Sequence, residues 1–288
     1  MTALADVALE SGLSMHCQDL HHVYHVEETE VVALAGVTLT VRAGETVALL
    51  GPSGCGKSTL LSVVAGLQRP TGGRVLVGRD DVTAMNVTEL LSLRSNRIGV
   101  VVQSPGRTLL PYATPEGNMH FAQRGTSPSR RAQLPAPGDL LSVLGLQHLA
   151  GRRVHAMSGG EQQRVAVAVA LACGPGLLLA DEPTSQLDDV NRDALVDLLL
   201  RANASFGTTI LTVTHDETVA LAHRRLVRLH EGRIDSDAHL EEDVVRIEAD
   251  GTVRLPEHVR RTLGVGTSLR IISTVDGIRL VRDDGAVS

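Results

Sequence analysis

The string Gly51-Pro-Ser-Gly-Cys-Gly-Lys-Ser-Thr59 fits G-x-x-x-x-G-K-[ST] in full. It lies between a short apolar run, Thr46–Leu50, and a segment of helical periodicity, Ser58–Leu67, that ends at Gly66. A buried strand, a glycine-rich turn and a helix, in that order, make a cradle for phosphate. Gly54 and Gly56 let the backbone curl so that successive N–H groups point inward, and the dipole of the following helix adds positive potential. A chance glycine-rich turn has no reason to carry this flanking pattern.

A triphosphate in such a cradle needs a cation and a means of activating water. Lys57 is expected to contact the β- and γ-phosphates of ATP, and the Ser58 hydroxyl to ligate Mg²⁺. Gly51, Ser53, Gly54, Cys55, Gly56 and Thr59 complete the expected surround of the nucleotide. Because Cys55 lies within the loop, its alkylation is expected to block ATP by bulk. The second half of the site is Leu177-Leu-Leu-Ala-Asp181-Glu182-Pro-Thr184. An apolar strand there delivers Asp181 towards the Mg²⁺ shell, and Glu182 follows where it can orient or deprotonate the attacking water. Alone, such an acidic pair more often starts a capped helix; downstream of the glycine loop it acquires a role.

Further strands are expected at Ile98–Val102, Leu177–Ala180 and Thr209–Thr214, with helices at Gly159–Cys173 and Val190–Ala204. Apolar strands alternating with amphipathic helices mean an α/β fold with a parallel sheet covered on both faces. Prolines 105, 111, 115, 128, 135 and 137 mark residues 104–156 as a helical, loop-rich insertion. Ser236–Asp243 is polar and acidic and reads as a linker. Beyond it the pattern is strand, turn, strand, short helix and hairpin, with turn signals at Asp250-Gly251 and Asp276-Gly277.

Composition narrows the function classes. At 43% hydrophobic and 21% charged, the 288-residue chain reads as globular. A net charge of -6 argues against wrapping nucleic acid by bulk charge. With no Trp, two Tyr and two Phe, the core must be aliphatic and broad stacking on bases is unavailable. Three scattered cysteines without a CxxC fit reduced thiols in a cytoplasmic protein. The first ten residues carry no export signal pattern. The longest apolar run, Val165–Cys173, is nine residues, whereas a bilayer-spanning helix needs about 20. Any membrane path is therefore expected from another chain. His16, His21, His22 and His25 cluster along a strand-like stretch without a ligand set, and are expected to face solvent or lie in turns.

A third motif, Met157-Ser158-Gly159-Gly160-Glu161-Gln162-Gln163-Arg164, makes the sequence resemble the ATP-binding-cassette (ABC) ATPase family, with Met for Leu and Glu for the last Gln of its LSGGQ signature. Ser158 N-caps a helix whose early N–H groups are expected to bind an anion. The resemblance implies that Ser158, Gly159, Gly160 and Glu161 meet ATP held by a second copy. It therefore implies a homodimer closed on two nucleotides. It also implies that Gln103 touches Mg²⁺ and the lytic water, that His215 contacts the γ-phosphate and positions Glu182, that Asp188 in Ser185-Gln-Leu-Asp188 links the two sites, and that Tyr24 stacks on adenine.

The cassette is expected over about residues 14–235, with a P-loop NTPase core, a mixed or parallel sheet and a helical subdomain at about 104–172. Glu27–Leu34, Arg97–Gln103 and Leu109–Asn118 resemble the lipoprotein-release and macrolide-export branch. That branch implies a peripheral ATPase beneath a separate transmembrane permease. Ala166–Leu171, which lacks the branch's arginine near Val169, and Gly117-Asn118, in place of Glu-Asn, depart from it.

Asp250–Gly266 resembles the AbrB-type swapped-hairpin domain, with Pro256 starting and Gly264 ending a helix. Residues 244–288 hold seven arginines and six acidic residues, a net charge of +1, so they are expected to dimerise or, with weaker electrostatic support, to bind DNA. Rival readings are a soluble ABC ATPase acting on ribosomes or DNA and an ATP-switched DNA-binding regulator. The first commonly carries paired cassettes or coiled-coil inserts, and this chain has one glycine loop and one signature.

Overall fold

The computed structural model describes residues 12–26, 29–239, 268–274 and 277–282. The chain divides into two units, Met1–Leu240 and Glu241–Ser288.

The first unit is built on a six-stranded sheet of order β10-β9-β3-β8-β7-β6. Its strands are β3 (Thr46–Leu50), β6 (Ile98–Val101), β7 (Leu177–Asp181), β8 (Thr209–Thr214), β9 (Arg225–His230) and β10 (Arg233–His239). β9, β3, β8, β7 and β6 run parallel, and β10 returns antiparallel to β9. The inner strands β3, β6 and β7 are largely buried on both faces, which is why they read as nearly continuous apolar runs. Leu177 and Leu179 enter one core with Val47, Leu49, Leu60 and Val213, whereas Leu178 and Ala180 enter a second with Met119, Leu140, Val165 and Leu198. The two-residue period of the strand makes this division.

Register decides where chemistry can sit. Leu50 lies beside Thr214, and Asp181 beside Val213. The carboxyl ends of β3, β8 and β7 therefore reach one edge together, where open α/β sheets bind ligands.

The first core is closed by a four-stranded antiparallel sheet of order β2-β1-β4-β5, which the sequence reading did not anticipate. It comprises β1 (Met15–Val26), β2 (Thr29–Val41), β4 (Gly72–Val77) and β5 (Asp80–Asp81). Helix α1 (Lys57–Val64) packs between the sheets. It ends earlier than expected, because Ala65 caps it and Gly66 turns left-handed at φ 64°. Helix α2 (Val87–Asn96) precedes β6.

The proline-rich insertion holds α3 (Pro115–Gln123), α4 (Pro128–Arg131) and α5 (Pro137–Val143), each with proline in its first turn, followed by α6 (Gly159–Leu171). Proline there removes an N–H that the helix leaves unpaired in any case. Helix α7 (Asp189–Phe206) exceeds the expected span, and α8 (Glu217–Leu221) links β8 to β9.

The expected linker also changes. Ser236–His239 belong to β10, paired with Arg225–Arg228. In the second unit, β11 (Leu269–Thr274) and β12 (Gly277–Arg282) pair antiparallel as the expected hairpin. The strands, turn and short helix read into 244–267, including Pro256 and Gly264, lie outside the described residues.

Candidate nucleotide site

The glycine loop leaves the end of β3 and runs into α1. Gly56, the N-cap of α1, has φ 104° and offers no side chain to cap the helix, so its first N–H groups face the loop without a side-chain acceptor. A Cβ at Gly56 would stand 2.1 Å from the Ala33 carbonyl oxygen, so both space and conformation require glycine. Lys57 is buried, and its Nζ curls back to donate to Gly51 O at 2.8 Å and Pro52 O at 2.9 Å. The ammonium thus occupies the mouth of its own loop, 3.8 Å from Glu182 Oε1.

Opposite Lys57 lie two consecutive carboxylates. Ser58 Oγ donates to Asp181 Oδ1 at 2.9 Å. Burial pushes the Asp181 carboxyl up, with the Glu182 charge adding to the rise and Ser58 and Lys57 opposing it. Glu182 follows with φ 42°, a left-handed conformation that costs a residue with a Cβ roughly 1–2 kcal/mol. Its N–H, bonded to Val213 O at 2.9 Å, holds it there. Backbone strain of this kind concentrates at functional sites. The turn sends the carboxylate to His215, whose Nδ1 is 3.1 Å from Glu182 Oε2. His215 is half exposed, one residue past β8.

Other expected residues stand further out. Tyr24 is half-buried on β1, with its hydroxyl donating to Gln68 Oε1 at 2.8 Å and lying 3.2 Å from Thr59 Oγ1. The phenol ring therefore flanks the loop. His22, expected in solvent or a turn, is instead buried edge-on to Tyr24 with ring centroids 4.6 Å apart, because the core side of β1 continues through it. Gln103 is exposed two residues past β6 and makes no hydrogen bond to Ser58 or Asp181. It lines a cavity of about 250 Å³ with Gly159, Gln162, Gln163 and Gln186.

Ser158 to Glu161 lie at the start of α6. Ser158 Oγ accepts from Glu161 N at 3.3 Å, and Glu161 Oε2 accepts from Ser158 N at 2.8 Å, a reciprocal capping box on α6. Arg152 Nη1 donates to Glu161 Oε1 at 2.7 Å. The Ser158 N–H, ahead of Arg152, holds the Glu161 carboxyl below the usual range. The Glu161 carboxylate folds back on the helix end and its N–H bonds the Ser158 hydroxyl oxygen, whereas among the described residues the Gly159 and Gly160 N–H groups make no side-chain hydrogen bond. Among the described residues, no hydrogen bond or ion pair joins Ser158–Glu161 to Gly51–Thr59 of the same chain.

Asp188 is exposed and N-caps α7, its Oδ1 accepting from Asn191 N at 2.8 Å. That bond, with the Asn191 side chain and the Arg164 charge, holds its carboxyl below the usual range. The sequence reading missed two amide side chains. Gln163 Nε2 donates to Val102 O at 3.1 Å and ties α6 to the segment leading to Gln103. Asn191 stands between α6 and α7. Nothing in residue type or spacing distinguishes either from an ordinary helix-face amide.

Comparison with known proteins agrees with this geometry. A family model described as ABC transporter matches residues 34–185. The lipoprotein-releasing system ATP-binding protein LolD of Geobacter metallireducens is 42% identical over 226 residues, spanning 77% of this chain and 98% of that protein. The macrolide export ATP-binding/permease protein MacB of Brucella melitensis is 39% identical over 222 residues, 76% of this chain but only 34% of that longer protein. Among solved structures, a dimeric post-hydrolysis state of the ATP-binding cassette MJ0796, bound to ADP and Pi, superposes with a TM-score of 0.69 at 32% identity, covering 79% of this chain and 99% of that one. With its glycine loop, its acidic pair and these relatives, the chain belongs to the ABC transporter family as an ATP-binding ATPase subunit.

Proposed function

We propose that the chain energises export or extraction of a hydrophobic or lipid-linked substrate through a separate permease, working as a homodimer on the inner face of the membrane. One observation carries the catalytic part. Lys57, Ser58, Asp181, Glu182 and His215 converge at one sheet edge, while Gly159 and Gly160 present their donors elsewhere in the chain. Each copy thus offers a phosphate cradle and, apart from it, an anion-binding helix end. Two copies head to tail complete two sites.

In this reading Lys57 passes its ammonium from the loop carbonyls to the β- and γ-phosphate oxygens. Glu182 orients the attacking water and takes its proton, and His215 holds the Glu182 carboxylate while meeting the γ-phosphate. The Ser58 hydroxyl and Asp181 carboxylate form the hard-oxygen pair that suits Mg²⁺, joined by Gln103 once it swings inward. Mg²⁺ would supply charge neutralisation on the phosphates. Tyr24 stacks on adenine, and Asp188 reaches the partner's site.

LolD and MacB relatives support the export reading over a DNA-binding regulator. No helix among the described residues is long and apolar enough to cross a membrane, which suits a separate permease. Residues 244–288 are read as a dimerisation module rather than a DNA reader, since a net charge of +1 gives phosphates little to bind.

Isolation from the host in mild detergent tests this reading. Co-purification of a membrane chain that raises ATP turnover is expected. Full turnover by the chain alone, with no membrane partner, contradicts it.

A further inference from the structure

Gly160, the second glycine of the Ser158–Glu161 helix end, is pressed against α7. A Cβ built there would lie 2.4 Å from Asn191 Oδ1 and 2.6 Å from Asn191 Cγ. The amide that takes this space is held on both sides. Its Oδ1 accepts from Arg164 Nη1 at 2.9 Å, one turn along α6 from Gly160. Its Nδ2 donates to Asp188 Oδ1 at 2.9 Å, the oxygen that also accepts the Asn191 N–H. A single planar group therefore touches the helix end whose donors are open to an anion, a cation on the same helix, and the exposed carboxylate that caps the next helix.

Asp188 is exposed, and a solvated carboxylate of that kind samples several rotamers unless something holds it. The backbone bond from Asn191 would cap α7 with any side chain at position 191. The amide adds the link to α6, which no backbone bond replaces. We propose that Asn191 is a positioning residue for hydrolysis, locking Asp188 to the N-terminal end of α6 so that both reach the partner's nucleotide in one fixed relation. The proposal rests on the paired-site reading above. It also gives a reason for glycine at position 160, since a Cβ there would collide with the Asn191 amide.

The test is Asn191→Ala in the full chain, measured as kcat and KM for ATP and, with Glu182→Gln added, as ATP-driven pairing. Positioning losses appear in kcat. The expected result is a fall in kcat of about tenfold, with ATP affinity of the single chain within about twofold and the ATP needed for half-pairing, and KM with it, raised about tenfold. Arg164→Ala added to Asn191→Ala should cost little more, because the two share one bond. Unchanged kcat and pairing overturn the proposal. So does a loss of ATP binding by the single chain, which would mark Asn191 as a general structural residue. Glu182→Gln chains that stay monomeric with ATP defeat the paired-site reading and this proposal with it, whereas pairing indifferent to Asn191 defeats the proposal alone.

Discussion

His215 Nδ1 lies 3.1 Å from Glu182 Oε2, an approach created by the left-handed turn at Glu182 and by parallel pairing that carries the ends of β7 and β8 to the same edge. The histidine holds the carboxylate without blocking it, since the other oxygen, Oε1, faces Lys57. His215→Ala should lower kcat about 10²-fold, the low end for a group that supports general-base chemistry. ATP affinity should change less than threefold on the order of such uniform-binding effects. Turnover and equilibrium binding measured on the same preparation check this. An equal loss in both would assign His215 to binding.

Lys57 donates to two loop carbonyls from a buried position. Its removal deletes the cation from the cradle and strands the carboxylates facing it. Lys57→Ala should weaken ATP binding by about 10- to 100-fold, the equivalent of one charge-assisted contact. Fluorescence titration with a nucleotide analogue reads the change, and unaltered affinity would displace the phosphate site from this loop.

Gly56 has φ 104° and the Ala33 carbonyl 2.1 Å from where a Cβ would stand. Gly56→Ala should cost the left-handed penalty of roughly 1–2 kcal/mol plus the clash, so the melting temperature should fall by at least about 2 °C. Gly54→Ala meets no atom within 4 Å and should show the conformational part alone. Thermal melts of the pair separate space from backbone conformation.

Arg225 grips Asp237 with Nε to Oδ1 at 2.6 Å and Nη2 to Oδ2 at 2.5 Å, which fastens β10 to β9 and holds the Asp237 carboxyl below the ordinary range. A lowered carboxylate pKa means stability that is present above the unfolded value and is lost as pH falls through the folded one. Asp237→Asn should therefore lower the melting temperature at neutral pH by about 2–4 °C. The gap to the parent chain should close below about pH 4. A gap constant down to pH 2 would assign the loss to packing.

Much of the cassette can be read from residue order. The glycine loop needs no tertiary information, and neither does the Leu177–Ala180 strand, because fully buried parallel strands appear as apolar runs. The antiparallel sheet was hidden for a physical reason. β1 changes register between Cys17 and Leu20, with Asp19 at φ 48°, so its apolar period breaks; and β4 pairs with β1 only after β2, β3 and α1 have intervened. The end of β10 reads as linker because Asp237 looks solvated until Arg225 is seen beside it. Glu161 is singled out by the motif, while its capping bonds to Ser158 appear only in the folded helix end. Asn191 carries no signal in sequence, since its importance comes from lying across from Gly160 on another helix.

The decisive experiment is the mass of the Glu182→Gln chain in solution with and without ATP. Removing the base while keeping the cradle should trap nucleotide between two helix ends. A stable pair with two bound ATP, absent without nucleotide, is the predicted result. A species that binds ATP and remains a monomer at every concentration would contradict the two-copy site.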